Sequence, residues 1–166
     1  MAQPTTGAPR PGTRDPHRSR MRALKVLFQA DLRGDAADAV LDRVLADPQA
    51  LALLDDQDED EAGTTGQIDA YAQQLVRGVA ANRPDLDALI DQFSRRWSVA
   101  RMPAVDRNVL RLAAYELQFE DTSPAVVIDE ALELVKGMST DNSARFVNGV
   151  LEAIRRHLTP ANDSTG

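Results

Sequence analysis

The chain has 166 residues, 43% of them hydrophobic and 27% charged, which suits one domain of ordinary globular usage and excludes wholesale disorder, a collagen helix or a coiled-coil rod. It contains no cysteine, which removes disulfides, thiolate nucleophiles, Cys-ligated zinc and iron–sulfur clusters, and no run of about 18 apolar residues with which to span a membrane. The net charge of −7 argues on average against a polyanionic partner, yet residues 1–25 carry +5 and the remainder −12, an acidic body with a basic amino-terminal arm.

Residues 1–16 hold four prolines, two glycines and three threonines and have almost nothing to bury, so they are expected to form a disordered basic arm. They lack the apolar centre of a secretory signal, which points to a cytoplasmic protein. From Arg18 to Arg33 there is no Gly or Pro, and Met21, Leu24, Leu27 and Phe28 recur at the spacing of one helical face until Gly34 stops the helix. A second helix is predicted over 36–46, where Val40, Leu41 and Val44 are apolar, with Pro48 after it and a short apolar stretch at 51–54. Residues 55–66, DDQDEDEAGTTG, read as an acidic surface loop. Set on a calcium-loop pattern starting at Asp58, they put Ala62 at the fifth position and Asp69 at the twelfth, so the match fails.

From Gln67 the pattern is densely helical. Ile68, Tyr71, Ala72, Leu75, Val76 and Val79 share one face of a helix over 68–81, and Pro84 suits the first turn of another that carries Leu86, Leu89, Ile90, Phe93 and Trp97. The helix expected over 104–119 is apolar on nearly every side, which places it at the centre of the fold. Ser123 and Pro124 open a further helix reaching Gly137, and after a turn at 139–141 the last helix carries Phe146, Val147, Val150, Leu151 and Ile154. No segment alternates with period two. The expected class is all-α with about seven helices: one helical domain over 17–158 and a flexible tail over 159–166.

Little in the inventory supports catalysis or a bound metal or cofactor. The two histidines, His17 and His157, belong to no metal-binding helical pair, no serine sits in a nucleophile elbow, and no glycine-rich phosphate loop is present. The first helix says more. On a helical wheel Arg18, Arg22, Lys25, Gln29 and Arg33 fall within about 80° of one another, opposite the apolar face. Such a stripe suits nucleic-acid phosphates, and it equally describes an ordinary solvated face. Glu116 shares a sector with Val105, Val109 and Leu112, so if buried it needs a cation, with Arg107, Arg111 and Arg145 as candidates. Asn148 and Gly149 interrupt the last helix, which suggests either a close helix approach or a contacted surface.

PAVDRNVLRLAAYEL from Pro103, VVIDEALELVK from Val126 and ARFVNGVLEAI from Ala144, together with RSRMRALKVLFQADL from Arg18, resemble the NusB transcription antitermination family in order and spacing across roughly residues 17–157. The resemblance implies two three-helix subdomains, the second beginning after about Pro84, and no catalytic activity. It further implies binding to the boxA element of ribosomal RNA leader transcripts with the small-subunit ribosomal protein NusE, in concert with other Nus factors and RNA polymerase. By position it implies RNA contacts from His17, Arg18, Arg20, Arg22, Lys25 and Phe28, and a second RNA-proximal edge at Asp141, Asn142 and Phe146. Asp106 and Arg107 would face the protein partner, with Asn148 in support. The arm is less arginine-dense than is typical, the acidic loop has no counterpart in the family, and the choice between monomer and homodimer stays open. Two other readings remain: a helical scaffold that binds only protein, and a relative of the RNA-binding domain of ribosomal RNA cytosine methyltransferases, disfavoured because no cofactor-binding βαβ region precedes Gly166.

Overall fold

A computed structural model describes residues 16–47, 49–50 and 68–159. The expected arm before residue 16, the apolar stretch at 51–54, the acidic loop at 55–66 and the tail beyond 159 lie outside the described residues. Within them the chain forms six α-helices and no strand: α1 (Pro16–Arg33), α2 (Ala37–Ala46), α3 (Ala70–Phe93), α4 (Ala104–Phe119), α5 (Pro124–Met138) and α6 (Asp141–Leu158), with a 3₁₀ turn at Val99–Arg101. α1, α2 and α3 pack on one another, as do α4, α5 and α6, and α4 joins the two sets by also lying against α1 and α3. The expected all-α class and two three-helix sets are both present, but the second set begins at Ala104 and not after about Pro84, because the helix holding Pro84 packs with the first set.

Local chemistry sets most of the helix ends. Gly34 takes a φ of 71°, and Asp35 N–H donates to Ala30 O (2.9 Å) while Gly34 N–H donates to Asp31 O (3.3 Å), the paired bonds of a Schellman stop. Asp69 caps α3 by accepting from Ala72 N–H, and Thr140 caps α6 by accepting from Ser143 N–H. Pro124 occupies the first turn of α5, although the Ser123 hydroxyl makes no capping bond.

The sequence pattern predicts a break before Pro84, and the structure corrects it. α3 runs unbroken through Pro84. Leu75, Val76 and Val79 before the proline and Leu86 and Ile90 after it are all buried and keep one helical register, so continuous burial outweighs one lost backbone bond, while Asn82 Nδ2 donates to Gly78 O (2.8 Å) one turn earlier. α3 then ends at Phe93, which leaves Trp97 in the connection to α4 rather than on a helix face.

α4 is the centre, as its all-round apolarity predicted: ten of its residues are buried, among them Asp106, Asn108, Arg111 and Glu116. α3 approaches it closely enough at Gly78 that a Cβ there would overlap the Tyr115 ring, whereas Gly149 on α6 has nothing within 4 Å of the same position. The close helix approach considered for Gly149 is absent, and Gly78 fills that role instead. Gly78→Ala should therefore cost about 1–3 kcal/mol through overpacking, and Gly149→Ala should stabilise α6 by about 0.5–1 kcal/mol through helix propensity. Urea unfolding of both variants checks the pair; equal shifts of the same sign would contradict this account of the two glycines.

Candidate nucleic-acid interface

The basic residues of α1 divide between the interior and the surface. Arg20 is 4% exposed and Glu116 1%, and the Arg20 Nε–H donates to both carboxylate oxygens at 2.8 and 3.1 Å, with the guanidinium 5.9 Å from the Tyr71 ring centroid. Glu116 thus has the cationic partner its burial demanded, supplied by α1 and not by Arg107, Arg111 or Arg145. Burial pushes the Glu116 carboxyl above the ordinary glutamate value, and the Arg20 hydrogen bond and charge pull it part of the way back. Arg20, expected to contact RNA, has its guanidinium committed to Glu116 in the core. Arg22 is also buried, so the stripe Arg18–Arg22–Lys25 is interrupted, and Arg33 at its end pairs with Asp35 (3.3 Å).

Of the α1 residues expected to contact RNA, His17, Arg18, Lys25 and Phe28 remain partly exposed. His17 is held in place by α5, its Nδ1 donating to Glu130 Oε2 at 2.6 Å. Ser19, on the inner side of α1, donates to the α3 cap Asp69 at 2.6 Å.

Asp106 and Arg107, expected to face a protein partner, both make contacts within the chain. Asp106 is fully buried, its Oδ1 accepting from Ser139 Oγ (3.3 Å). Arg107 grips Asp31 of α1 through Nε and Nη2, the latter at 2.8 Å. Asn108 Nδ2 donates to the same carboxylate (2.8 Å), and Arg111 lies 3.6 Å from it while binding Asp87 of α3 through Nε (2.7 Å) and Nη2 (3.1 Å). Burial acts to raise the Asp31 carboxyl, but the Arg107 and Asn108 hydrogen bonds and the charges of Arg107 and Arg111 outweigh it, so the group lies below its ordinary value. A cavity of about 200 Å³ adjoins this cluster, lined by Leu27, Asp31, Ala37, Val79, Asn108 and Arg111 among others. Of the three residues assigned to the partner, Asn148 alone is exposed.

The second edge lies at the start of α6. Asn142 is exposed and Phe146 half-buried, and the Phe146 ring meets Trp97 at a centroid distance of 5.3 Å and an interplanar angle of 55°. Phe146 therefore finds its aromatic partner in the α3–α4 connection and not in α1. Sequence reasoning missed Trp97 because it was counted as one more apolar position of a helix; the signal was its setting, SRRWS, too polar for a buried face. Among the described residues no group of three His, Cys, Asp or Glu side chains is placed to hold a metal ion, and no helix is long and apolar enough to cross a membrane.

The chain matches the NusB family over residues 17–156. The transcription antitermination protein NusB of Saccharopolyspora erythraea is 45% identical over 140 residues, covering 83% of this chain and 84% of the relative. That of Acidothermus cellulolyticus is 48% identical over 139 residues, with 83% and 85% covered. Among solved structures, NusB of T. maritima superposes with a TM-score of 0.70 at 34% identity, covering 89% of this chain and 94% of that one. A crystal structure of the antitermination factors NusB and NusE in complex with double-stranded RNA gives 0.67 at 27% identity, with 87% and 99% covered.

Two substitutions test the interior charges of α1. Arg20→Ala leaves Glu116 buried without its cation and should cost about 3–5 kcal/mol. Asp31 has a lowered carboxyl, so the stability it contributes is complete above about pH 5 and is lost as pH falls through the ordinary carboxylate range towards the lower folded value. Glu116, raised by burial, works in the opposite sense, so the comparison is made through Asp31→Asn, which should flatten the acid limb of a stability-against-pH curve from urea unfolding. An unchanged limb would mean the Asp31 cluster is energetically neutral.

Proposed function

We propose, from the premise that this chain belongs to the NusB family, that it is a transcription antitermination factor that binds boxA RNA of ribosomal RNA leader transcripts together with the ribosomal protein NusE, helping RNA polymerase read through terminators. The observation that supports this reading is the likeness, over 87% of this chain, to NusB in a complex with NusE and double-stranded RNA. The surface agrees with it. His17, Arg18 and Lys25 are partly exposed on α1, whereas Arg20 and Arg107 are paired with carboxylates towards the interior. Phe28 and Phe146 offer ring surface for unpaired bases, and Asn142 offers an amide. Arg20 serves this surface from within by fixing α1 through Glu116, and Asn148 is an exposed residue open to the protein partner. Such a role places the protein in the cytoplasm, beside RNA polymerase, and requires no catalytic group.

The test is fluorescence anisotropy of a labelled boxA-type RNA, with and without NusE, over a range of salt and beside a scrambled RNA. Binding should be selective for boxA, tighter with the partner and steeply salt-dependent. Arg18→Glu with Lys25→Glu should weaken it about tenfold or more and reduce the slope against log salt by about 0.7 for each phosphate that is no longer neutralised. If the two proteins pair while no RNA binds in either condition, the chain is a protein-only scaffold and this reading falls.

A further inference from the structure

The segment between α3 and α4 carries a feature that the α1 and α6 contacts do not account for. Trp97 is 47% exposed, a large fraction for an indole in a segment whose neighbours Ser94, Val99 and Met102 are buried. One side of it rests on Phe146, leaving much of the ring to solvent. Its backbone is held from two directions: Ser94 Oγ–H donates to Trp97 O at 2.5 Å, and Val99 N–H donates to Asp91 Oδ1 at 2.8 Å. The exposed indole is thus presented by a hydrogen-bonded segment and backed by a second aromatic ring. Residues 94–102 include Arg95, Arg96 and Arg101 and no acid, and Arg145 precedes Phe146 on α6. Arg95, Arg96 and Arg145 are exposed and enter none of the ion pairs among the described residues. No described carboxylate forms an ion pair with these three arginines; Asp91 accepts from Val99 N–H and Asp106 is buried beneath Ser139.

We propose that Trp97, backed by Phe146, is a stacking platform for an unpaired base of RNA, and that Arg95, Arg96 and Arg145 take the phosphates on either side of that base. An exposed indole offers its face to any base, and unneutralised arginines beside it supply charge complementary to a phosphodiester chain, a combination that favours single strands over duplexes. A protein partner would need a matching anionic surface around one apolar anchor, and the three unpaired arginines adjoining Trp97 and Phe146 in the chain fit a polyanion better. The platform rests on the RNA-binding reading above and extends its footprint from α1 and α6 onto the α3–α4 connection.

Trp97 is the single tryptophan of the chain, so its emission reports on the platform directly. The protein, with NusE bound, is titrated with a single-stranded boxA-type RNA and with the same RNA annealed to its complement, following RNA anisotropy and tryptophan emission together, with Trp97→Phe as the emission blank. Single-stranded RNA should quench Trp97 saturably at the same midpoint as the anisotropy. Trp97→Ala should weaken single-strand binding about 5- to 100-fold, as expected for one stacked base, with duplex binding changed less than about twofold and Trp97→Phe near the parent. Arg95→Glu with Arg96→Glu, which leaves the aromatic pair intact, should weaken both the binding and its salt dependence. RNA binding with unchanged emission and an Ala variant equal to the parent would overturn the platform and leave the RNA reading standing. Weakened pairing with NusE at unchanged RNA affinity would assign Trp97 to the protein partner and overturn it too. Absence of RNA binding by the parent complex would remove both.

Discussion

Glu116 lies at the centre of the molecule on the helix that touches four others, and a carboxylate placed there must meet a cation or be lost to protonation. Arg20 supplies that cation from α1. Eleven residues further along α1, about 16 Å at the helical rise, Asp31 receives Arg107, Asn108 and Arg111 from α4. Two polar attachments so far apart fix both the rotation and the axial register of α1 on α4. Apolar packing alone would tolerate small slides of one helix on another, but a displaced bidentate pair leaves buried charge uncompensated. These attachments therefore act on geometry more than on net stability, because desolvation consumes much of their attraction.

The same attachments decide which basic side chains α1 presents. With Arg20 turned inward and Arg22 buried beside it, His17, Arg18 and Lys25 are left towards the outside, and Glu130 of α5 steadies His17. An acidic protein can in this way carry a small, defined cationic surface. Arg20, Arg107 and Arg111 are matched to carboxylates in the interior, while Arg95, Arg96 and Arg145 stand exposed and, among the described residues, unpaired in the α3–α4 connection and at the start of α6. Specific recognition of a polyanion benefits from such partition, since a repelling body discourages binding elsewhere.

Periodicity made the helices of this chain legible, and it did so best where helix and burial coincide. The all-round apolar run at 104–119 announced a central helix, Gly34 announced the stop of the first helix, and the basic, amphipathic character of that helix announced a charged surface. Local signals failed where packing was stronger. Pro84 is a good helix opener by its own chemistry, but the buried row from Leu75 to Ile90 carries α3 straight through it. Trp97 fitted a helical spacing that ended four residues earlier, at Phe93. Gly149 resembled a contact point and is open, while Gly78, unremarked in the sequence, is the true close approach because Tyr115 lies opposite on another helix.

By itself, then, the sequence determined the helical class, most helix boundaries and the need for a cation beside Glu116 once buried, and its motifs determined the family resemblance. These depend on spacing and composition along one chain, and they survive any ignorance of what packs against what. Only the tertiary structure decided that the cation is Arg20 and not a neighbour on α4, that Asp106 is buried and Arg107 pairs with Asp31 of α1, and that Trp97 meets Phe146 across about fifty residues of chain. Each of those outcomes joins residues far apart in sequence, where the choice among several arginines or several aromatic rings is made by the three-dimensional register of the helices and by nothing local.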